Sequence, residues 1–359
     1  MPEPIPSGPA DPTTPRGWAE RWRPSAVTKP TTITVDVHTH VLVPASAEMT
    51  RPFYQPTLDT RSLYSAPETR ERNQEFYRLV EAKYTDPHAR LADMDALGVD
   101  VQLIGLSPFH YFYWADETLA TRVARLQNDT IARMVSVAPA RFVGVGTLPW
   151  AHPSPAVAEA ERMPDHGFPA AYLGAEVNGV DLDDRRFDPV WEALEALGLV
   201  VILHPAGFTH AERMVDYYLV NVIGMPLSST LAVTRLILGG VLERHPGLRM
   251  LVVHGGGYLP FYAARTDHAY RHRPELRQHI DRLPSEYLRT LYFDTTVFDP
   301  GMIRHMVTTY GADRVLMGSD YPFDMGDPDP IARVAGAGLA EDHRDLVVGA
   351  NARALFRLD

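Results

Sequence analysis

The sequence contains no cysteine among its 359 residues. This excludes disulfide bridges, thiolate nucleophiles and cysteine-ligated zinc, and leaves histidine and carboxylate side chains as the strong metal ligands. Positive charge is also scarce, because 34 lysine and arginine residues face 45 aspartate and glutamate residues, for a formal net charge of -11. The balance argues against nucleic acid or an anionic membrane as a partner, so an anionic substrate would need a local group of arginines.

Long hydrophobic runs are also missing, and no run approaches the length that spans a bilayer. The amino terminus is polar and rich in proline, without the apolar segment of a signal peptide. These features predict a cytoplasmic protein. The hydrophobic content of 45% is nevertheless sufficient for a sizeable core.

Proline separates the chain into two parts. Its abundance in residues 1–30 predicts an extended arm without regular helix or strand. Residues 31–359 read as a single domain, in which short β-branched runs alternate with amphipathic helical patterns. The strand candidates are residues 33–38, 99–106, 142–148, 170–177, 200–204, 249–254, 291–295 and 314–320. The helical patterns between them are at residues 89–97, 117–137, 153–163, 189–197, 229–243, 260–270, 301–310 and 328–334.

Eight strands alternating with helices predict an α/β fold with a parallel sheet, and eight strands close a TIM-type (β/α)8 barrel. A doubly wound open sheet is the alternative, but no Gly-x-Gly-x-x-Gly motif follows the first strand. Residues 42–83 are rich in aromatic side chains and are predicted to be an insertion after strand 1 that covers the barrel mouth. Residues 341–356 are predicted to form a closing helix.

Polar side chains end four of the predicted strands. The first ends in His38 and His40, the fifth in His204, the sixth in His254 and the eighth in Asp320. Because the active sites of such barrels lie at the carboxyl ends of the strands, these side chains are expected to converge. Four strands that end in this way predict a metal site, whereas a single buried histidine would more often be structural.

One metal ion is expected, because the fourth strand has no lysine that could be carboxylated to bridge two ions. Three imidazoles and one carboxylate favour zinc, with manganese as the alternative, and leave an open position for water or substrate. The predicted ligands are His38, His40, His204 and Asp320. His254 is predicted to be the acid/base, because an imidazole near the metal-bound water can move protons near neutral pH. The glycines that follow it allow the backbone to lie close to a ligand. The alternative is that His254 is a fourth nitrogen ligand.

Several motifs together carry a family resemblance. They are His38-Thr-His40, Asp86-Pro87, His204-Pro205, His254-Gly-Gly-Gly257, Pro284-Ser-Glu-Tyr287, Val297-Phe-Asp-Pro300 and Gly318-Ser-Asp320-Tyr-Pro-Phe323. From about residue 34 to the carboxyl end, the chain resembles the amidohydrolase superfamily. More narrowly, it is similar to the decarboxylase branch typified by 2-amino-3-carboxymuconate 6-semialdehyde decarboxylase. The resemblance implies a zinc ion held by the predicted ligands, with His254 as the catalytic acid/base beside Asp320.

The resemblance also implies two arginines that bind substrate carboxylates, and these match Arg78 and Arg265. In this family the second arginine comes from across a dimer interface, which implies a homodimer. The chain departs from the family pattern at Ala206, where the typical decarboxylase has an aromatic residue, and in its arm and insertion. These departures lie where substrate would be contacted, so they affect the identity of the substrate and not the metal chemistry.

The sequence therefore predicts a zinc-dependent, non-oxidative decarboxylase of an aromatic or ring-opened, muconate-like carboxylic acid. Candidate walls for a flat substrate are His110, Trp114, Tyr217, Tyr218, Phe298 and Phe323. One alternative is a metal-dependent hydrolase or hydratase that acts on a lactone, amide or conjugated diacid at the same site. A third possibility, from another class, is a regulatory or scaffold protein with a decayed metal site.

Overall fold

Eight parallel strands form one sheet whose strand order follows the sequence. The computed structural model describes residues 11, 13–22, 27–55, 57 and 63–358. The strands are β1 (Val35–Val41), β2 (Val101–Leu106), β3 (Phe142–Thr147), β4 (Ala170–Leu173), β5 (Val200–Leu203), β6 (Arg249–Val252), β7 (Tyr292–Asp294) and β8 (Val315–Leu316). Each pairs in parallel with the next.

Backbone hydrogen bonds between β1 and the segment after β8 bring the two ends of the sheet together. The His40 N–H donates to the Tyr321 carbonyl at 2.8 Å, and the Asp320 N–H donates to the His38 carbonyl at 2.8 Å. Because Thr39 and Tyr321 also form a parallel bridge, the sheet curls into a barrel. The predicted (β/α)8 barrel is therefore confirmed.

Helices connect the strands and surround the barrel. Their bounds are α1 (Pro15–Ala19), α2 (Pro44–Thr50), α3 (Pro67–Thr85), α4 (Pro87–Leu97), α5 (Glu117–Val137), α6 (Pro153–Arg162), α7 (Asp188–Leu197), α8 (Met225–Leu238), α9 (Val241–Arg244), α10 (Leu259–His272), α11 (Pro284–Leu288), α12 (Pro300–Tyr310), α13 (Pro330–Gly336), α14 (Glu341–Asp345) and α15 (Asn351–Phe356). Gly98 and Gly198 end α4 and α7 in the left-handed conformation, with φ of 73° and 63°, which glycine adopts without steric cost.

A tyrosine fills the barrel interior below the predicted metal site. Tyr172 on β4 stacks against the His40 ring at a centroid distance of 5.7 Å, and its hydroxyl donates to the Thr39 carbonyl at 3.3 Å. Gly105 on β2 makes room for it, because a Cβ at that position would lie 2.3 Å from the tyrosine ring. The absence of a side chain at Gly105 thus makes room for the Tyr172 ring that stacks on His40.

Strands β3 to β8 each end one to four residues earlier than the sequence predicted, and the difference affects site residues at β6 and β8. β6 was expected to run to residue 254 and β8 to residue 320, but they end at Val252 and Leu316. His254 and Asp320 instead have positive φ values of 55° and 63°. Their backbone has left the extended conformation, and this turn directs both side chains over the barrel mouth.

Two predicted helices are interrupted. The pattern at residues 229–243 is divided by Gly239 and Gly240, which separate α8 from α9. The closing helix predicted at residues 341–356 is divided by a π-helical turn, Leu346–Ala350, between α14 and α15. The periodicity of the apolar residues continues across both interruptions, so it did not reveal them.

The prediction that no apolar run approaches the length that spans a bilayer is wrong for one helical segment of the described residues. Val220–Leu238, where a π-helical turn continues into α8, is long and apolar enough to span a membrane by length and composition alone. Half of it is buried within the protein, and Ala232, Val233 and Leu236 belong to the main core. The segment therefore packs as a core-facing helix of the barrel.

The arm contains a short helix, so the expectation that it has no regular structure is wrong for residues 15–19. The side chain of Thr14 accepts a hydrogen bond from the Gly17 N–H, and proline occupies the first helical position, where its missing N–H costs nothing. The predicted arm also includes residues 1–10, 12 and 23–26, which lie outside the described residues.

The arm packs against the segment that follows β8. Trp22 is 5% exposed and lies edge-on to the Tyr321 ring at 4.8 Å. Arg21 Nη2 donates to the carbonyls of Phe323 and Gly326, each at 2.7 Å. Both residues therefore hold the loop that begins at Asp320.

The predicted insertion at residues 42–83 contains α2 and most of α3. α3 buries Phe76, Val80 and Tyr84, which are spaced by four residues and form one face of the helix. The neighbouring Tyr77 is half-buried and lines a cavity at the barrel mouth. Residues 56 and 58–62 of this segment lie outside the described residues.

Candidate metal centre

The five side chains predicted to form the site converge at the carboxyl ends of the strands. The ring of His204 lies 5.0 Å from His38, 4.7 Å from His40 and 4.9 Å from His254, measured between centroids. Asp320 Oδ1 is 2.9 Å from His40 Nε2 and 3.1 Å from His38 Nε2. Asp320 Oδ2 is 3.6 Å from His254 Nε2. Of the five residues, His254 alone is not fully buried.

Hydrogen bonds to Nδ1 orient three of the imidazoles. His38 Nδ1 lies 2.6 Å from Asp294 Oδ2, and His40 Nδ1 lies 3.2 Å from the Leu106 carbonyl. His204 Nδ1 lies 2.7 Å from the carbonyl of the proline that follows it. Each acceptor favours the tautomer with hydrogen on Nδ1, which leaves the Nε2 lone pair of every ring free toward Asp320.

This arrangement fits a divalent metal ion. The Nε2 atoms of His38 and His204 are buried and have no hydrogen-bond partner among the described residues. His38, His204, His254 and Asp320 each offer one ligand atom within 4.8 Å of the others. Histidine nitrogen with one carboxylate oxygen is a donor set that suits zinc and other transition metals. Since His40 also touches Asp320, the third imidazole ligand could be either His40 or His254.

The electrostatics of the cluster favour a bound cation. Burial opposes a charged His38, but Asp320 and Asp294 outweigh it and raise the pKa of His38 to about 10. Burial lowers the pKa of His40 to about 4 and that of His204 well below its ordinary value. Burial also opposes ionisation of Asp320, yet His38 and the other imidazoles hold the pKa of this carboxyl well below its usual range. The buried carboxylates thus favour positive charge within the cluster, which a bound cation would supply.

Asp294 was not predicted as a site residue. Beyond its contact with His38, its Oδ1 accepts the Gly255 N–H at 2.7 Å, and its Oδ2 accepts the Thr296 hydroxyl at 2.9 Å. It thereby connects His38, a predicted ligand, to the loop of His254. The signal that identified the other strand ends was present here as well, because Asp294 is the last residue of β7.

A buried polar network supports β1 from below. Asp36 accepts hydrogen bonds from the Ser319 hydroxyl at 2.5 Å and the Ser319 N–H at 3.0 Å, and burial raises its pKa to about 6. The fully buried Arg90 donates to Thr39 Oγ1 at 3.2 Å and to the His40 carbonyl. Arg90 appeared in the sequence as an ordinary residue of an amphipathic helix, so nothing in the local pattern indicated this role.

The glycines after His254 are required by close packing. Gly255, Gly256 and Gly257 have φ values of 60°, 76° and 65°. A Cβ on Gly257 would lie 2.3 Å from the Pro226 carbonyl oxygen. The close approach expected from the sequence was to a ligand, but the structure shows it to the first turn of α8. This packing fixes the loop and holds His254 at the cavity wall.

A cavity of about 350 Å³ opens above the cluster. His204, His254 and Asp320 line it, together with the aromatic side chains Tyr77, Phe109, Tyr218, Tyr258, Phe261, Phe298 and Phe323. Phe323 packs on the His40 ring at 4.8 Å, whereas Phe298 is 42% exposed at the mouth. Of the predicted walls, Tyr218, Phe298 and Phe323 are in place, and His110, Trp114 and Tyr217 are not among the lining residues.

The structure does not bring the two predicted arginines into this cavity. Among the described residues, no lysine or arginine lines it. Arg78 lies on the exposed side of α3, because the face with Phe76 and Val80 points inward. Arg265 is exposed on α10, one helical turn after Phe261, whose ring reaches the cavity.

The family described as Amidohydrolase matches residues 35–358. A 2-amino-3-carboxymuconate-6-semialdehyde decarboxylase from Dictyostelium discoideum is 33% identical over 287 residues, which cover 79% of this chain and 80% of that protein. The chain belongs to the amidohydrolase family. The predicted membership of its metal-dependent decarboxylase branch, and with it the prediction of an enzyme, is confirmed.

Solved structures agree with this assignment. The 5-carboxyvanillate decarboxylase of Sphingomonas paucimobilis superposes with a TM-score of 0.82 at 26% identity, covering 92% of this chain and 100% of that chain. A 5-carboxyvanillate decarboxylase variant from Novosphingobium aromaticivorans, solved with bound manganese, has a TM-score of 0.81 at 22% identity. The match covers 91% of this chain and 98% of that chain, and at this identity it supports the fold alone.

The contact between Asp294 and His38 predicts an effect on metal affinity. Asp294→Asn removes the negative charge that makes His38 more basic, so metal affinity should fall by about 10–100-fold. Competition with a chromophoric chelator measures the change. Asp299→Asn is the matched control, because Asp299 is exposed and asparagine still caps α12. Equal affinities in the two variants would contradict a supporting role for Asp294.

Proposed function

We propose that this protein is a zinc-dependent, non-oxidative decarboxylase of an aromatic or ring-opened unsaturated carboxylic acid. The observation that carries the proposal is the set of free imidazole nitrogens facing Asp320 at the base of a cavity with aromatic walls. The decarboxylase relatives support it, and manganese is the alternative metal because carboxylate and imidazole ligands also suit that ion. We also expect a cytoplasmic location.

The ligands in this proposal are His38, His40, His204 and Asp320. When bound, the ion would supply a Lewis acid that orients the substrate and stabilises negative charge developing on it. Three anchored imidazoles suit this purpose, because their Nδ1 hydrogen bonds leave little freedom for the rings to turn away.

His254 is proposed to move the proton. In decarboxylation the bond from the carboxyl carbon breaks, carbon dioxide leaves, and the electron pair remains on the substrate carbon, which must then receive a proton. The His254 ring lines the cavity and is half-buried, so it can donate this proton and regain one from solvent. Asp320 Oδ2 lies 3.6 Å from His254 Nε2, so the ring is held beside the proposed metal ligands.

The aromatic walls are proposed to exclude water and hold a flat substrate. Phe323 lies between the His40 ring and the cavity, and Phe298 is at the mouth. Exclusion of water strengthens the electrostatic interactions of a developing negative charge with the cluster. Apolar walls with few polar groups are typical of small-molecule sites.

We further infer that the active form is a homodimer. Four apolar side chains at or beside the cavity mouth remain exposed: Phe261 by 39%, Tyr262 by 63%, Phe298 by 42% and Met302 by 39%. A second copy that covers this surface would bury them. Arg265 projects from the same helix, α10, so it could reach the neighbouring cavity and supply the cation that this one lacks among its described residues.

Metal analysis combined with a carbon dioxide assay tests the proposed function. Purified protein should contain about one zinc ion per chain, and it should release carbon dioxide from some member of a panel of aromatic and muconate-type acids. Metal content is measured by elemental analysis. Manganese would correct only the choice of metal, whereas zinc with substrate turnover but no carbon dioxide would support a hydrolase or hydratase. Protein that binds no metal when supplied would refute the proposal.

Single alanine variants distinguish a ligand from the acid/base. His254→Ala should retain the metal and lose turnover by about 100-fold or more, because the proton donor is gone but the ligand set is intact. His38→Ala and His40→Ala should each lose metal and activity together. Metal content and turnover measured on the same preparations decide between the roles. Loss of metal from His254→Ala, with retention in His40→Ala, would make His254 the ligand instead.

Mixing a variant impaired in substrate binding with one impaired in turnover, assayed at a substrate concentration below the KM of Arg265→Ala, tests the role of Arg265 across the interface. Arg265→Ala should mainly raise KM, and Arg271→Ala, an exposed arginine on the same helix, is the control. Dimers mixed from Arg265→Ala and His254→Ala subunits contain one intact site if the arginine acts on its neighbour, so about a quarter of wild-type activity should return. If mixing restores nothing, Arg265 does not act between subunits.

A further inference from the structure

The substrate cavity contains an acidic group that has no part in the proposed metal centre. Asp324 lines the cavity, and its Oδ2 accepts a hydrogen bond from the Tyr218 hydroxyl at 3.1 Å. Tyr218 lines the same cavity. Two acidic residues line the described part of the cavity, Asp320 and Asp324. Because Asp320 is a proposed metal ligand, Asp324 is the one available to contact a substrate.

The position of Asp324 is fixed from outside the cavity. Arg21 donates to the carbonyls of Phe323 and Gly326, which lie on either side of Asp324 in the sequence, each at 2.7 Å. Trp22 fills the space beside Gly326, where a Cβ would lie 2.8 Å from its ring. The amino-terminal arm therefore holds this loop in place, and the carboxylate presents a pre-positioned acceptor to the cavity.

Arg21, which binds the backbone of this loop, also attracts the Asp324 carboxylate, but the described lining residues of the cavity itself include neither lysine nor arginine. A second carboxylate placed near Asp324 would be repelled and would lose its hydration without gaining a donor. A hydroxyl or amino group at the same place would donate to the free lone pairs of the carboxylate. The two kinds of substituent are thus discriminated by charge and by hydrogen bonding.

We propose that Asp324, oriented by Tyr218, is a specificity-determining residue of this enzyme. It selects an unsaturated or aromatic acid that carries a hydroxyl or amino group at the position facing it, and it rejects a carboxylate there. This inference rests on the proposed function, because it places at the metal centre the substrate carboxylate that leaves as carbon dioxide. The substrate class becomes an acid that carries a hydrogen-bond donor at this position of its ring or chain.

Binding of small ring acids to the metal-loaded protein tests the proposal separately from turnover. The probes are benzoate and its derivatives with a hydroxyl, an amino or a second carboxylate group at the 3- or 4-position. Titration calorimetry on the wild type should show the donor-bearing acids binding about tenfold or more tightly than the dicarboxylates at one of these positions. The hydroxyl and amino series show which donor is preferred.

Asp324→Asn is the decisive variant, because it removes the charge while keeping the shape of the side chain. It should reduce the preference for a donor over a second carboxylate by about tenfold, and Tyr218→Phe should reduce it less. Asp216→Asn is the control, because Asp216 is exposed and does not line the cavity. It should leave the preference unchanged.

Three outcomes would overturn the inference. They are equal affinity for donor-bearing acids and dicarboxylates, an equal change in the Asp324→Asn and Asp216→Asn variants, and no binding of any donor-bearing acid to the wild type. A preference that depends on Asp324 but is accompanied by no carbon dioxide release would uphold the role of Asp324 and refute the decarboxylase. Carbon dioxide release without such a preference would support the decarboxylase and refute the role of Asp324.

Discussion

The backbone hydrogen bonds that join β1 to the segment after β8 both close the barrel and set the distance between Asp320 and the histidines of β1. The Asp320 N–H donates to the His38 carbonyl, so the carboxylate cannot move away from the imidazoles without opening the sheet. Metal-site geometry is therefore tied to the closure of the barrel. A catalytic constellation built on strand ends gains its precision from the scaffold in this way.

Closure alone would leave buried charges without compensation. Asp294 and Asp36 lie below the cluster, and their carboxylates are satisfied by His38 and by Ser319, respectively. Arg90 adds a buried guanidinium that binds the carbonyl of His40 and stacks over Tyr321 at 4.7 Å. Each charge is hydrogen-bonded to the strand or loop that carries a ligand, so the desolvation cost of burial is offset where rigidity is needed.

The barrel and the central residues of the site could be predicted from the sequence because both depend on regular periodicity. Alternating side chains place His38 and His40 together, and each strand carries its last polar residue to the same edge. Asp294 was available to the same reasoning. The contacts of Arg90, Arg21 and Trp22 could not be found in this way, because they connect segments distant in sequence and no local pattern encodes their partners. The sequence also did not show which face of α3 packs inward, so the exposed position of Arg78 could not be predicted.

The arm and the loop after β8 show how a fixed metal centre can be combined with a variable cavity. Three residues separate Asp320 from Asp324, and one of them is Phe323, which packs on His40. Substitution at Asp324 changes the chemistry that faces the substrate while the hydrogen bond from Asp320 to β1 is unaffected. Arg21 donates its hydrogen bonds to backbone carbonyls of this loop, so these bonds do not depend on which side chain occupies position 324. The loop can therefore vary in specificity without a change in the ligand set.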